Sequence, residues 1–359
     1  MSAPNLFTPL RAGELQLPNR IVMAALTRSR AGTSHIPNEL MVEYYAQRAS
    51  SGLMMTEATM IARDGCAFIA EGGLFDEACE AGWRKVTDAV HRRGGRMLVQ
   101  LWHPGRAAHS VLNAGARPIS STERPIRGAT IRTPEGPKEH EAPRRLALGE
   151  IPAIIELFRA AAQRAQAAGF DGVQIHGAHG YLLDQFLRDS VNDRIDEYGG
   201  SIHARARLLL EAVDAAIEVL GPGRVSVRIS PLVPYNDIAD SQPAQLVEHV
   251  ATELARRRIA FLELRHADHR APAEQQLARI ARECFTGALF RNGRFDLESA
   301  QTAVAGGSAD AVVFGSLYVS NPDLVERFAS GARLNDPNPA TFYTPGAAGY
   351  TDYPPRVLE

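Results

Sequence analysis

Three cysteines in 359 residues, Cys66, Cys79 and Cys284, are too few and too irregularly placed for a disulfide framework or paired zinc-type spacing. Lysine is scarcer still: of 39 basic side chains only Lys85 and Lys138 are lysine, the rest arginine. Schiff-base chemistry needs a desolvated lysine. Lys85 falls in a helical stretch and Lys138 in a polar loop, which argues against a lysine-imine aldolase. Charge of one sign is missing as well. The 39 basic residues meet 41 acidic ones for a net charge of -2, with no basic excess to recruit nucleic acid or an anionic membrane surface. No apolar run reaches membrane-spanning length, and Met1–Leu10 lacks the basic and apolar regions of a secretory signal. These absences lead us to expect a cytoplasmic protein, monomer or homodimer, whose partner is a small molecule rather than nucleic acid or membrane. No G-x-G-x-x-G occurs either, which removes the main support for a doubly wound dinucleotide-binding fold.

What is present is an alternation of short apolar runs with longer amphipathic ones. Candidate strands are Arg20–Ala24, Leu53–Glu57, Arg96–Leu101, Gly172–His176, Arg224–Ile229, Phe261–Leu264, Ala288–Phe290 and Ala311–Phe314. Helical period separates them, for instance in Ile151–Ala168 and Ala204–Leu220. Strand and helix in alternation imply parallel pairing through right-handed crossovers, and eight such units predict a single (β/α)8 barrel over residues 1–359. One connection is anomalous. Roughly 45 residues rich in Pro, Gly, Arg and Ser, about 103–149, part the third strand from its helix, far more than an ordinary βα loop. Such an insertion is expected to cap the site, with Ala129–Thr133 and Lys138–Ala142 pairing as a hairpin over the barrel mouth.

Active groups of this fold lie at the carboxyl ends of the strands. The richest cluster follows the fourth strand in GVQIHGAHGYLLDQF, where His176 ends the strand, His179 comes one turn later and Tyr181 follows. Two imidazole N–H groups converging on a carbonyl or nitro oxygen would stabilise developing negative charge, each worth on the order of a hundredfold in rate. A phenol beside them is placed to deliver a proton. The plainer readings are histidines satisfied in strand-helix packing, or a metal site in a barrel hydrolase with His103 as third ligand. Arg228, inside the fifth strand, needs an anion, a polarised ligand or an inward carboxylate to offset its burial. Gln100 lies near the end of the third strand, and Trp102 follows it. Gly293 and Gly315 follow strands seven and eight, whose loops are the usual phosphate site of the fold.

Taken together these residues resemble the old yellow enzyme family of flavin-dependent ene-reductases, which includes oxophytodienoate reductases and N-ethylmaleimide reductases. The resemblance runs nearly end to end, on Leu6–Leu10 (LFTPL), Pro18–Arg28 (PNRIVMAALTR), Glu43–Gly52 (EYYAQRASSG), Val99–Arg106 (VQLWHPGR), His176–Phe186, Asn192–Ser201 (NDRIDEYGGS), Ser320–Leu324 (SNPDL) and Gly349–Pro354 (GYTDYP). It implies a barrel holding FMN noncovalently, reduced by NADPH or NADH and reoxidised by an activated alkene such as an α,β-unsaturated carbonyl, maleimide or nitroalkene. By position, Thr27 would bond the flavin O4, Gln100 and Arg228 its pyrimidine edge, and Ala25, Leu26 and Ala58 would line the ring through backbone. His176 and His179 would hold the substrate oxygen and Tyr181 would protonate the α-carbon. Phe68, Trp102 and Tyr343 would shape the pocket. One motif departs. The family usually reads F-G-R before SNPDL, whereas this chain reads Phe314, Gly315, Ser316, so the arginine that pairs with the FMN phosphate is replaced by serine. Arg294 or Arg291 in the strand-seven loop is the expected compensating charge.

Overall fold

A computed structural model describes residues 4–356. Eight parallel strands close on themselves: β1 (Ile21–Met23), β2 (Leu53–Met60), β3 (Met97–Trp102), β4 (Gly172–Gly177), β5 (Val225–Ile229), β6 (Phe261–Arg265), β7 (Ala288–Asn292) and β8 (Ala311–Phe314), with β8 paired back to β1. Every apolar run expected to be a strand is one. Their ends shift, most in β2, which continues three residues past Glu57 because a bulge between Met55 and Ala58 inserts an extra residue against β3. The Thr56 hydroxyl accepts from the Gln100 N–H at 3.0 Å and bridges the interrupted ladder.

Helices wrap the outside: α1 (Glu39–Ala46), α2 (Glu77–Arg92), α3 (Ile151–Ala167), the short α4 (Leu182–Leu187), α5 (Ile202–Leu220), α6 (Pro243–Arg256), α7 (Pro272–Cys284), α8 (Leu297–Ala305), the short α9 (Ser316–Ser320) and α10 (Leu324–Ser330). Their sequence logic is visible in α2. Asp76 caps it by accepting from the Cys79 N–H at 2.9 Å, and Trp83, Val86 and Val90 form one helical stripe buried toward the strands. Among the described residues no helix is long and apolar enough to cross a membrane.

The barrel interior is filled by Leu53, Met55, Leu98 and Val313, with Phe261 and Phe290 stacked at 4.0 Å between ring centres. Leu15 and Leu17 join this cluster from an amino-terminal hairpin, Leu10–Ala12 against Leu15–Leu17, which closes the bottom of the barrel. The opposite mouth is partly roofed by the insertion between β3 and α3. Its hairpin pairs Thr130–Thr133 with Gly136–Glu139, so the second strand starts two residues earlier than Lys138. The turn is tighter than expected, with the Thr133 hydroxyl donating to the Gly136 carbonyl at 2.7 Å. Ile131 of this hairpin is buried in one cluster with Trp102 and Tyr181, which fixes the cap over the mouth.

Candidate active site

The turn after β4 is held in an uncommon conformation by specific partners. His176 sits inside the strand end, buried. His179 has a left-handed backbone (φ 58°), kept there by the Ser230 hydroxyl accepting from its N–H at 2.8 Å and by Asn236 donating to its carbonyl at 2.9 Å. Gly180 follows with φ 70°, and a Cβ there would come within 2.6 Å of the Tyr235 carbonyl, so both conformation and space demand glycine. Asp184 accepts from the Gly180 N–H at 2.9 Å and is itself paired with buried Arg188 at 2.8 Å.

The result is a compact aromatic group. Ring centres lie 5.5 Å apart for His176 and His179 and 5.4 Å apart for His176 and Tyr181, while the edge of Trp102 meets Tyr181 at 4.4 Å. Burial, reinforced by the Arg228 guanidinium, holds both imidazoles well below the ordinary histidine range. They are therefore neutral, each with one N–H to give. Burial pushes the Tyr181 phenol well above its ordinary value, so it keeps its proton as a donor.

Beneath this group a polar chain crosses the barrel. Gln100 Nε2 donates to Gln174 Oε1 at 2.6 Å, Gln174 Nε2 donates to Glu263 Oε2 at 2.8 Å, and Glu263 Oε1 lies 3.0 Å from Arg228 Nε. All four residues are buried. Arg228 thus has the inward carboxylate that its position called for, supplied by β6. Charge is matched but hydrogen bonding is not: the Arg228 Nε and the facing Glu263 oxygen have no aligned partner. Gln174 and Glu263 were missed by the sequence reading, although both are polar residues in otherwise apolar strands.

Above the chain opens a cavity of about 370 Å³. It brings together Ala25, Leu26, Thr27, Ala58, Gln100, His176, His179, Tyr181, Arg228, Arg294, Gly315 and Ser316, twelve of the expected site residues. Seven further residues line it, among them Arg265, Asn292 and Phe295, which the sequence did not single out. Arg265 was hidden by its place at the very end of an apolar strand, and Asn292 lies beyond the expected stop of β7.

Four expected residues stand outside the wall. Trp102 lies behind Tyr181, with its indole N–H buried and unpartnered, and Phe68 packs on it at 6.0 Å. Tyr343 is 54% exposed and off the cavity. Gly293 is also off it. Its backbone (φ 147°) and the approach of His266, 2.7 Å from where a Cβ would stand, account for the glycine through packing alone. The expected alternative charge, Arg291, points away from the cavity, its Nε toward His266 at 3.4 Å and Nη1 toward Ser308 at 3.4 Å. Tyr235, in the loop after β5, was not anticipated, yet its ring meets His179 at 6.3 Å and Tyr181 at 6.5 Å. His103 is buried, its Nδ1 accepting from the Gly105 N–H at 3.1 Å, and no group of three His, Cys, Asp or Glu side chains among the described residues is arranged to hold a metal ion.

The relatives of the chain place this barrel, with its polar floor, paired neutral imidazoles and phenol, among the oxidoreductases. Residues 5–335 match the NADH:flavin oxidoreductase / NADH oxidase family, to which this protein belongs. It is 46% identical to a probable flavin mononucleotide-dependent alkene reductase of Leishmania infantum, covering 97% of each chain. It is 43% identical to 12-oxophytodienoate reductase 7 of Oryza sativa subsp. japonica, over 97% of this chain and 94% of the other. Among solved structures, morphinone reductase in complex with tetrahydroNAD superimposes with a TM-score of 0.95 at 42% identity, covering 99% of this chain and 98% of that one. The old yellow enzyme homologue from Zymomonas mobilis gives a TM-score of 0.95 at 41% identity, over 98% and 99%.

Proposed function

We propose that this protein is an FMN-dependent ene-reductase that takes electrons from NADPH or NADH and reduces the C=C bond of α,β-unsaturated carbonyls, maleimides or nitroalkenes. The observation that carries this reading is the pair of buried nitrogens on the cavity wall that lack a partner, His176 Nδ1 at the mouth and Arg265 Nη1 at the rim, in a cavity also lined by Gln100 and Arg228. Buried polar atoms ordinarily have partners. These fit a polar heterocycle seated on the floor and a substrate oxygen at the mouth. Gln100 and Arg228 would hold the pyrimidine edge of FMN, Thr27 the ring carbonyl beside β1, and Ala25, Leu26 and Ala58 would pack along the ring through backbone.

Bound there, FMN would supply the carrier that accepts a hydride from the nicotinamide and passes it to the β-carbon of the alkene. The chain's own groups do the rest. His176 and His179, neutral and donating, would bind the carbonyl or nitro oxygen and stabilise the negative charge that grows on it. Tyr181, with its proton retained by burial, would deliver that proton to the α-carbon. Trp102 backs the phenol, and the Ile131 hairpin shields it from bulk water. The likeness to an alkene reductase and to oxophytodienoate reductases supports an alkene substrate.

An anaerobic absorption experiment tests the reading. Protein saturated with FMN is expected to show flavin bands that NADPH or NADH bleaches and 2-cyclohexenone restores. Failure of the enone, a maleimide and a nitroalkene alike to restore them would remove the ene-reductase assignment.

A further inference from the structure

The cavity wall holds three guanidinium groups, Arg228, Arg265 and Arg294, and no carboxylate among the described residues. One of the three is accounted for, since Arg228 is paired with Glu263 behind the wall. The other two make no hydrogen bond or ion pair with any described side chain or backbone group. Arg294 is exposed on a left-handed residue (φ 58°) just past β7 and is free to swing. Arg265 is different: it ends β6 on the inward face, two residues after Glu263, and its Nη1 is buried with no partner at all. The side chain as a whole is half-buried, so the cost falls on that one nitrogen, which is cut off from water with no acceptor. Burial above all, then the like charge of Arg228 and more weakly that of Arg294, bring the guanidinium pKa down to about 10, against the opposing pull of Glu263 and Glu274.

Arg265 is also well placed along the rim. It is in register with Asn292, whose side chain lines the same cavity, and Arg294 stands two residues beyond that. Across from them are Gly315 and Ser316 at the end of β8, where a Cβ on Gly315 would meet nothing closer than 3.5 Å, so the space there is open. Ser316 is the position at which the resembling family carries its phosphate-binding arginine.

We propose that Arg265, with Arg294 as its exposed partner, replaces that missing arginine and binds the FMN phosphate from the β6 side of the cavity. The inference rests on the flavin reading above and deepens it. Two surplus positive charges match a phosphate monoester near neutral pH, which carries about -1.5 to -2. A guanidinium fork gives such a group two parallel charge-assisted bonds, which a serine hydroxyl cannot. The phosphate in turn supplies what Nη1 lacks.

Riboflavin, which has the ring and ribityl chain of FMN but no phosphate, makes the test specific. Apoprotein would be titrated with each flavin by fluorescence quenching. Arg265→Met is expected to weaken FMN at least tenfold, about 1.4 kcal/mol, and to leave riboflavin within twofold. Arg265→Lys, retaining the charge but not the fork, should fall between wild type and the Met variant. Adding Ser316→Arg to the Met variant should recover FMN affinity. Unchanged FMN binding by Arg265→Met would overturn the proposal, and so would equal losses for FMN and riboflavin in a variant that keeps its folded circular dichroism. A misfolded Met variant leaves the Lys variant to decide: FMN and riboflavin affinities both at the wild-type level would refute the bidentate contact. If the wild-type protein bound neither flavin, the flavin reading itself would fall and this inference with it.

Discussion

Gln174 Nε2 donates to Glu263 Oε2 at 2.8 Å, and this single bond joins the Gln100 side of the barrel to the Arg228 side. Glu263 is fully buried and is ion-paired with Arg228. The floor of the site therefore depends on one carboxylate contributed by β6.

Removing that carboxylate leaves Arg228 buried without its counter-ion. Breaking a buried pair by deleting one partner typically costs about 3–5 kcal/mol. Glu263→Leu is expected to lower stability by an amount of that order in urea denaturation, and Glu263→Gln, which can still accept from Gln174, by less. A Leu variant as stable as wild type would show that the chain of polar groups does not hold the floor.

Tyr181 is surrounded by groups that keep its proton on: apolar burial beside Trp102 first, then the nearby Tyr235 and Glu71. If it is the donor to the α-carbon, Tyr181→Phe should leave reduction by the nicotinamide untouched and slow reoxidation by an enone on the order of a hundredfold. Stopped-flow measurement of the two half-reactions separates them. Equal slowing of both would mean that the phenol positions the flavin or the cap rather than donating.

Two carboxyls near the site, Glu57 and Glu71, are fully buried and make no ion pair within 4 Å among the described residues, although Arg28 and Arg30 lie near enough to Glu57 to pull against its burial. Glu71 Oε1 accepts from the Ala67 and Phe68 N–H groups at 2.7 and 3.2 Å, but its other oxygen has no partner. Burial outweighs those bonds and pushes Glu71 up to about 8, and Glu57 up to about 7. The folded protein thus binds protons that the unfolded chain, with carboxyls near 4.5, has released. This contribution to stability is fully present below about pH 4.5, declines as pH rises toward 8 and is then exhausted. Buried neutral histidines such as His176 and His179 act in the opposite sense below about pH 6.5, so the carboxyl effect is read as a difference: from pH 5 to pH 8 wild type should lose melting temperature relative to Glu71→Gln. A slope of unchanged size in the Gln variant would contradict it.

Neutral histidines leave a direct signature. The ring nitrogens of His176 and His179 should give nitrogen-15 shifts of neutral imidazole at and around the usual histidine midpoint near 6.5. Protonation of either ring in that range would show that the turn after β4 is more open than the geometry makes it.

Much of this was legible in the sequence because barrel strands, buried on both faces, read as continuous apolar runs. His176, His179 and Tyr181 were found for the same reason, as polar residues just where such a run stops. Gln174 and Glu263 escaped because their partners are on other strands, and only closure of the barrel brings β3, β4, β5 and β6 around one point. Arg265 was obscured because β6 ends three residues before an Asp268–Arg270 surface pair, in a stretch whose charges look uniformly solvated. Gly293 illustrates the opposite error. It has the appearance of an anion-loop glycine, but its requirement comes from His266, a contact between neighbouring strands that linear spacing does not encode.

The bulge in β2 carries a consequence for how the gene can change. Counted from Met55, an unbroken strand would set Glu57 opposite Gln100; the extra residue sets Ala58 there instead. Loss of one codon at Thr56 would straighten the strand with Ala58 still opposite Gln100, at the cost of the hydroxyl that takes the Gln100 N–H, whereas loss of a codon after Ala58 would turn every later side chain of the strand to the other face. The bulge is thus a place where β2 can lose a residue and keep its alternation, while the regular stretch from Ala58 to Met60 cannot.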